Sequence, residues 1–182
     1  MMRRLRRQAL AVAALLVALT SAALPLDGQE PEPVFELLRG HWCGEGTLMG
    51  RPARFSMGWR RHAGFAVLTF ANAFADTTGG VVPVLSAGAV YRMSAERPEA
   101  VWLDSRGVRI DIRWEASDST LVGHWTAPEE TGRTSYRVRS SAAIDVLDEV
   151  RGPSGWATFG TASYRRVDGD AIPPSGQCPP LD

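Results

Sequence analysis

The chain is 182 residues long, with 20 Arg, no Lys, 20 acidic residues, a formal net charge of zero and 45% hydrophobic residues. The arginines alternate with acids rather than cluster, which excludes a basic face for phosphates and hence a nucleic-acid partner. Three scattered His and two Cys without a Cys-x-x-Cys pair provide no metal-ligand spacing, so no metal and no cofactor is expected.

The N-terminus reads as an export signal over residues 1–23. Arg3, Arg4, Arg6 and Arg7 form a positive head, Ala9 to Leu19 is an apolar run of 11 residues, and Thr20-Ser21-Ala22-Ala23 supplies small residues, with cleavage expected between 22 and 29. Such a run is too short to span about 30 Å of hydrocarbon, so no stable membrane insertion is expected. Without residues 1–29, which hold four Arg and Asp27, 16 Arg face 19 carboxylates. The expected location is periplasmic or extracellular. Residues 24–32 have the Pro, Gly and acidic composition of a linker. A short helical turn follows, with Phe35, Leu37 and Leu38 on one side, ending at Gly40; it suits a lid on one end of a barrel.

Gly40-His41-Trp42-Cys43-Gly44-Glu45-Gly46 is the most telling stretch. Glycines at alternate positions clear one face of a strand for close backbone approach, and Trp42 on that same face becomes a plug, giving Trp42, Gly44 and Gly46 structural roles. Beyond it, strands alternate with turns. Ala53 to Arg60 places Phe55, Met57 and Trp59 on one face; Phe65 to Phe74 is a continuous apolar run; Val84 to Arg92 and Ala100 to Asp104 follow. Val108 to Glu115 sets Val108, Ile110, Ile112 and Trp114 against Arg109, Asp111, Arg113 and Glu115. Thr120 to Thr126 alternates Leu121, Gly123 and Trp125 with Val122 and His124. Thr134 to Arg139, Asp145 to Val150 and Thr158 to Val167 complete the series, and residues 169–182 form a Pro-rich tail.

Eight to ten short strands with no long helical pattern predict an all-β fold: one antiparallel up-and-down β-barrel over residues 33–168. Cys43 in the first strand and Cys178 in the tail are an even pair in an exported chain, so a disulfide is expected between them.

The opening Gly-x-Trp-x-Gly-x-Gly and the closing Tyr164-Arg165-Arg166-Val167 resemble the calycin-like barrels: lipocalins, fatty-acid-binding proteins and nitrobindins. The middle segments, Trp102-Leu103-Asp104-Ser105-Arg106-Gly107 and Gly132-Arg133-Thr134-Ser135-Tyr136, look most like bacterial lipocalin-like families of unknown function. The resemblance implies that Trp42 packs under an Arg of the last strand, Arg165 or Arg166. It also implies a carboxylate anchor of the fatty-acid-binding kind, for which Tyr164 and Arg166 share strand parity. Nitrobindins hold haem through a C-terminal histidine. This chain has only His41, His62 and His124, so haem binding would need His124 or a new arrangement.

No Gly-x-Ser-x-Gly turn is present, Cys43 has no recognisable base, and adjacent carboxylates such as Asp148-Glu149 point to opposite faces of a strand, which makes them poor acid/base dyads. Large side chains are needed to fill a small barrel, so most of the six Trp are assigned to the core. The expected ligand surface is Phe55, Met57, Trp59, Ile110, Ile112, Trp114 and Trp125, with Tyr164 and Arg166 as polar anchors. The function expected is non-catalytic binding of a small hydrophobic or amphipathic ligand. The alternative is a filled barrel acting as a structural or interaction protein of the cell envelope; haem binding and an enzyme acting on a lipid-like substrate rank below both.

Overall fold

Pro33 fixes its own φ and has no amide to satisfy, so it opens a helix at no cost in hydrogen bonds; α1 spans Pro33–Leu38. Its single turn and a half buries Val34, Phe35 and Leu38. The computed structural model describes residues 32–76, 80–94 and 96–169 together with Pro174 and Cys178. The expected signal peptide, most of the linker and most of the tail lie outside the described residues, which hold no helix long and apolar enough to cross a membrane.

After α1 the chain is all strand: β1 (Gly40–Leu48), β2 (Arg51–His62), β3 (Phe65–Ala75), β4 (Val81–Arg92), β5 (Glu99–Asp104), β6 (Arg109–Ser117), β7 (Thr120–Thr126), β8 (Thr131–Ser140), β9 (Ala143–Gly152) and β10 (Gly155–Val167). Each strand pairs antiparallel with the next, and β1 closes on β10 from His41↔Val167 to Leu48↔Gly160, giving a closed ten-strand barrel. Closure leaves no strand edge free. The predicted all-β barrel is therefore the observed one, at the upper end of the expected strand count. The β1–β2 connection is a two-residue turn in which Met49 and Gly50 both have positive φ, 51° and 72°, the handedness that matches strand twist.

Alternation decides the interior. Trp42, Phe55, Met57, Trp59, Leu68, Tyr91, Trp114, Leu121, Tyr136 and Ile144 all point inward and are buried. Under α1 the filling is aromatic. The Phe35 ring lies 5.2 Å from Trp114 edge-on, 6.0 Å from Tyr91 and 6.3 Å from Trp59, and Trp59 meets Tyr136 edge-on at 5.4 Å. These separations suit the ring quadrupoles and fill that end of the barrel with side chains. The expected lid is thus a stopper.

Outside the barrel, Cys43 points away from the core and is bonded to Cys178, as expected from the count of two. Polar pairs also decorate the outer wall, among them Arg133 Nε donating to Glu149 Oε2 at 2.6 Å, Arg139 donating to Asp145 at 2.8 Å, and His124 Nε2 at 3.1 Å from Glu115 Oε1.

Candidate interior binding site

The α1 end of the barrel is sealed where Trp42 of β1 meets Arg166 of β10. Trp42 is fully buried and donates its indole N–H to the Leu38 carbonyl at 2.8 Å. The Arg166 guanidinium stacks 4.2 Å over the indole and donates to the carbonyls of Ser141, Leu37 and Arg39. Of the two arginines the resemblance offered for Trp42, Arg166 is the one that takes it. Its guanidinium is accordingly spent on α1 and the β8–β9 turn. Arg165, its neighbour, faces the other side of β10 opposite Cys43. Gly44 leaves room for the Tyr164 ring, whose atoms lie 2.7 to 2.8 Å from where a Cβ would stand.

The expected ligand surface is brought together on the inner wall, but most of it is already filled. Phe55, Met57, Trp59, Trp114 and Ile112 are 0 to 7% exposed and pack in one core. Toward the opposite mouth the inner wall loosens: Ile110 and Trp125, from the expected set, are joined by Phe70, Phe74, Trp102 and Phe159, all only partly buried. Phe70 lies 5.7 Å from Trp102, and Trp125 meets Phe159 edge-on at 6.4 Å. The Trp125 indole lies flat across Gly132, 2.1 Å from a notional Cβ there, so only glycine permits it. A register shift between Thr158 and Gly160 adds the extra residue, Phe159, that faces Trp125. The result is an aromatic cup.

At its floor stands a carboxyl. Asp148 is opposite Thr134 across β8–β9, and Thr134 Oγ1 donates to its Oδ1 at 2.7 Å. Its other oxygen lies 2.9 Å from a notional Cβ on Gly160, across β9–β10. The next inward position of β7 is Gly123, and the Tyr91 hydroxyl lies 3.7 Å from its notional Cβ. Asp148 stands on the inner wall, its carboxyl deeply buried while the residue as a whole is half-buried. Burial pushes its acid up to about 6, with the Thr134 hydrogen bond pulling weakly the other way. Burial likewise pushes the Tyr91, Tyr136 and Tyr164 phenols up, and the Asp148 charge adds to all three; Tyr91 and Tyr136 hydrogen-bond to each other. The Asp148-Glu149 pair does split across the sheet, Glu149 outside on Arg133 and Asp148 inside.

An open groove of about 480 Å³ lies on the outer wall, lined by Ser56, Thr69, Ala71, Ser86 and Leu103 of β2 to β5 and by Pro174 of the tail. The charged residue on its border, Asp104, is paired with Ala87 on the Trp102 face of β5, and its carboxylate is occupied. Burial raises that acid, but hydrogen bonds from the Arg106 side chain and from the Val108 and Arg106 amides outweigh it and hold it below the usual carboxylate range. The groove is therefore a largely apolar trough with no oriented charge, whereas the cup combines aromatic walls with a poised polar group.

None of the three histidines faces the cup. His41 contacts Arg60 at 3.4 Å, His62 is exposed at the end of β2, and His124 is held by Glu115 on the outer wall.

No protein-family model and no curated protein matches this sequence. Solved structures do. The S-type phycobiliprotein lyase CPES from Guillardia theta superposes with a TM-score of 0.52 at 11% identity, covering 79% of this chain and 96% of that one. A redesigned β-barrel, b11L5F_LGL, gives 0.43 at 13% identity over 75% of this chain and 96% of that chain. The protein EF1p2_mFAP2b, solved bound to DFHBI, gives 0.43 at 10% identity over 76% of this chain and all of that one. At these identities the likeness is one of fold, and it is to barrels.

Proposed function

We propose that the protein is an exported, non-catalytic barrel that holds one small hydrophobic or amphipathic molecule in the cup opposite α1. The observation that carries this reading is the asymmetry of the interior. One end is filled by fully buried aromatics, while the other keeps Phe70, Trp102, Ile110, Trp125 and Phe159 partly uncovered around a polar floor. A barrel serving only as a scaffold gains stability by filling both ends, because each partly uncovered aromatic forgoes a fraction of the about 1.5 to 3 kcal/mol that full burial brings. Apolar walls with few oriented polar groups are the usual make-up of a ligand site. The calycin-like resemblance points the same way. So does the likeness to the phycobiliprotein lyase, as a barrel of the same kind. Export rests on the composition of residues 1–23 and is supported by the Cys43–Cys178 bond, a linkage that persists in oxidising compartments.

Titration with a neutral naphthalene dye tests the reading. Micromolar affinity, about −8 kcal/mol, with quenching of tryptophan emission is expected. The quenching should weaken in Trp125→Phe and Trp102→Phe, whose indoles reach the cup, and persist in Trp59→Phe and Trp114→Phe, whose indoles lie under α1. A dye that binds no better than to an unrelated soluble protein replaces this reading with the filled-barrel one.

A further inference from the structure

The floor of the cup narrows the class of ligand, and this inference rests on the binding reading above. A carboxyl inside a barrel is costly unless a cation answers it. Asp148 has one neutral partner, Thr134, and no arginine or histidine pairs with it among the described residues. The groups that face it from neighbouring elements are likewise neutral: the phenols of Tyr91 on β4, Tyr136 on β8 and Tyr164 on β10. Arg166, the anchor expected for a fatty acid, is committed to Trp42 and three carbonyls at the far end. Arg51 at the rim lies 3.8 Å over Phe74. A second acceptor in the inner wall, Asn72 Oδ1, is buried without a partner. The cup thus offers negative charge and lone pairs, with aromatic faces beside them. Those are the surroundings that stabilise a cation and repel a carboxylate.

We propose that the cup takes an organic ammonium ion, its cationic head on Asp148 beside the Trp125–Phe159 pair and its apolar portion along the Phe70–Trp102 wall.

Three ten-carbon probes separate charge from hydrophobicity: decyltrimethylammonium, decan-1-ol and decanoate, each below its micelle concentration, displacing the neutral naphthalene dye at about pH 7.5. The ammonium is expected to bind about tenfold or more tightly than the alcohol, with decanoate weakest. Asp148→Asn should bring the ammonium's affinity down to that of the alcohol. In the wild-type chain the same advantage should fade as pH falls below about 6 and Asp148 takes up a proton, a readout that decides the matter if the variant does not fold. Three probes that bind alike, or an ammonium preference that survives both Asp148→Asn and acid, overturn the ligand class while dye binding leaves the barrel a binder. Failure of every probe and of the dye removes both readings together.

Discussion

Trp42→Ala is expected to cost about 4 to 5 kcal/mol, the upper part of the range for truncating a core aromatic. The indole is fully buried. Returning it to water forfeits about 200 Å² of burial, near 5 kcal/mol at about 25 cal/mol/Å² as an upper bound. Two further contacts go with it, the 2.8 Å hydrogen bond to Leu38 and the 4.2 Å stack of Arg166, about 1 kcal/mol each. Partial collapse returns some of this, but the seat beside the indole is held by Gly44 and the Tyr164 ring, which leaves little to move in. Trp42→Phe keeps most of the area and loses the N–H, so about 1.5 to 2 kcal/mol is expected. Guanidinium denaturation followed by far-UV circular dichroism, with the disulfide intact, reads both values without depending on the remaining indoles. A loss below about 1 kcal/mol for Trp42→Ala, or equal losses for the two variants, would falsify the plug and leave only a dispensable hydrogen bond.

Reducing the Cys43–Cys178 bond, which closes a loop of 135 residues, should lower stability by about 3 to 5 kcal/mol, seen as a fall in denaturation midpoint with dithiothreitol; an unchanged midpoint refutes a structural role for the bond. Asp148 should make the fold less stable as pH rises. Its folded acid is raised from 3.8 to about 6, so the native state binds the proton more tightly, the stabilisation is complete below about pH 4, and about 3 kcal/mol is lost between pH 4 and 6. Asp148→Asn should flatten that part of the profile and gain stability at neutral pH, as measured by urea denaturation across the range. A difference profile between the two proteins that is level from pH 4 to 7 contradicts the inward carboxyl.

Much of the fold is legible in the sequence because barrel strands follow a period of two. Phe55-x-Met57-x-Trp59 announces an inner face, Gly44 and Gly46 announce a strand that others cross closely, and Cys43 with Cys178 announces a tie. What period two does not carry is depth along the barrel axis. Trp59 and Trp125 share inward parity, yet one is 1% exposed under Phe35 and the other stands at the mouth. The difference lies in which end α1 stops up, a tertiary fact. Nor does local pattern show the extra residue at Phe159, which enters as a single step in register. Asp148 is the instructive case. Its position opposite to Glu149 is plain from adjacency, and that same adjacency argues against an acid/base pair; but an inward carboxylate next to Thr134 becomes visible only when β8 and β9 are set side by side. Arg165 and Arg166 differ by one place, and only the register of β1 against β10 says which lies on Trp42.

Nine of the ten strand pairings join neighbours along the chain and can form as hairpins, each closing a short loop. The tenth, His41 to Val167, must bring together ends 126 residues apart. The entropy of closing a long loop therefore falls on one seam, and until β10 docks, β1 presents a bare edge to any passing strand. Cys43 sits in that seam, opposite Arg165. Its bond to Cys178, eleven residues beyond the last paired position, acts as a latch: when the seam breathes open, the two edges stay within reach and re-pair as a local event, rather than by a search across the whole chain.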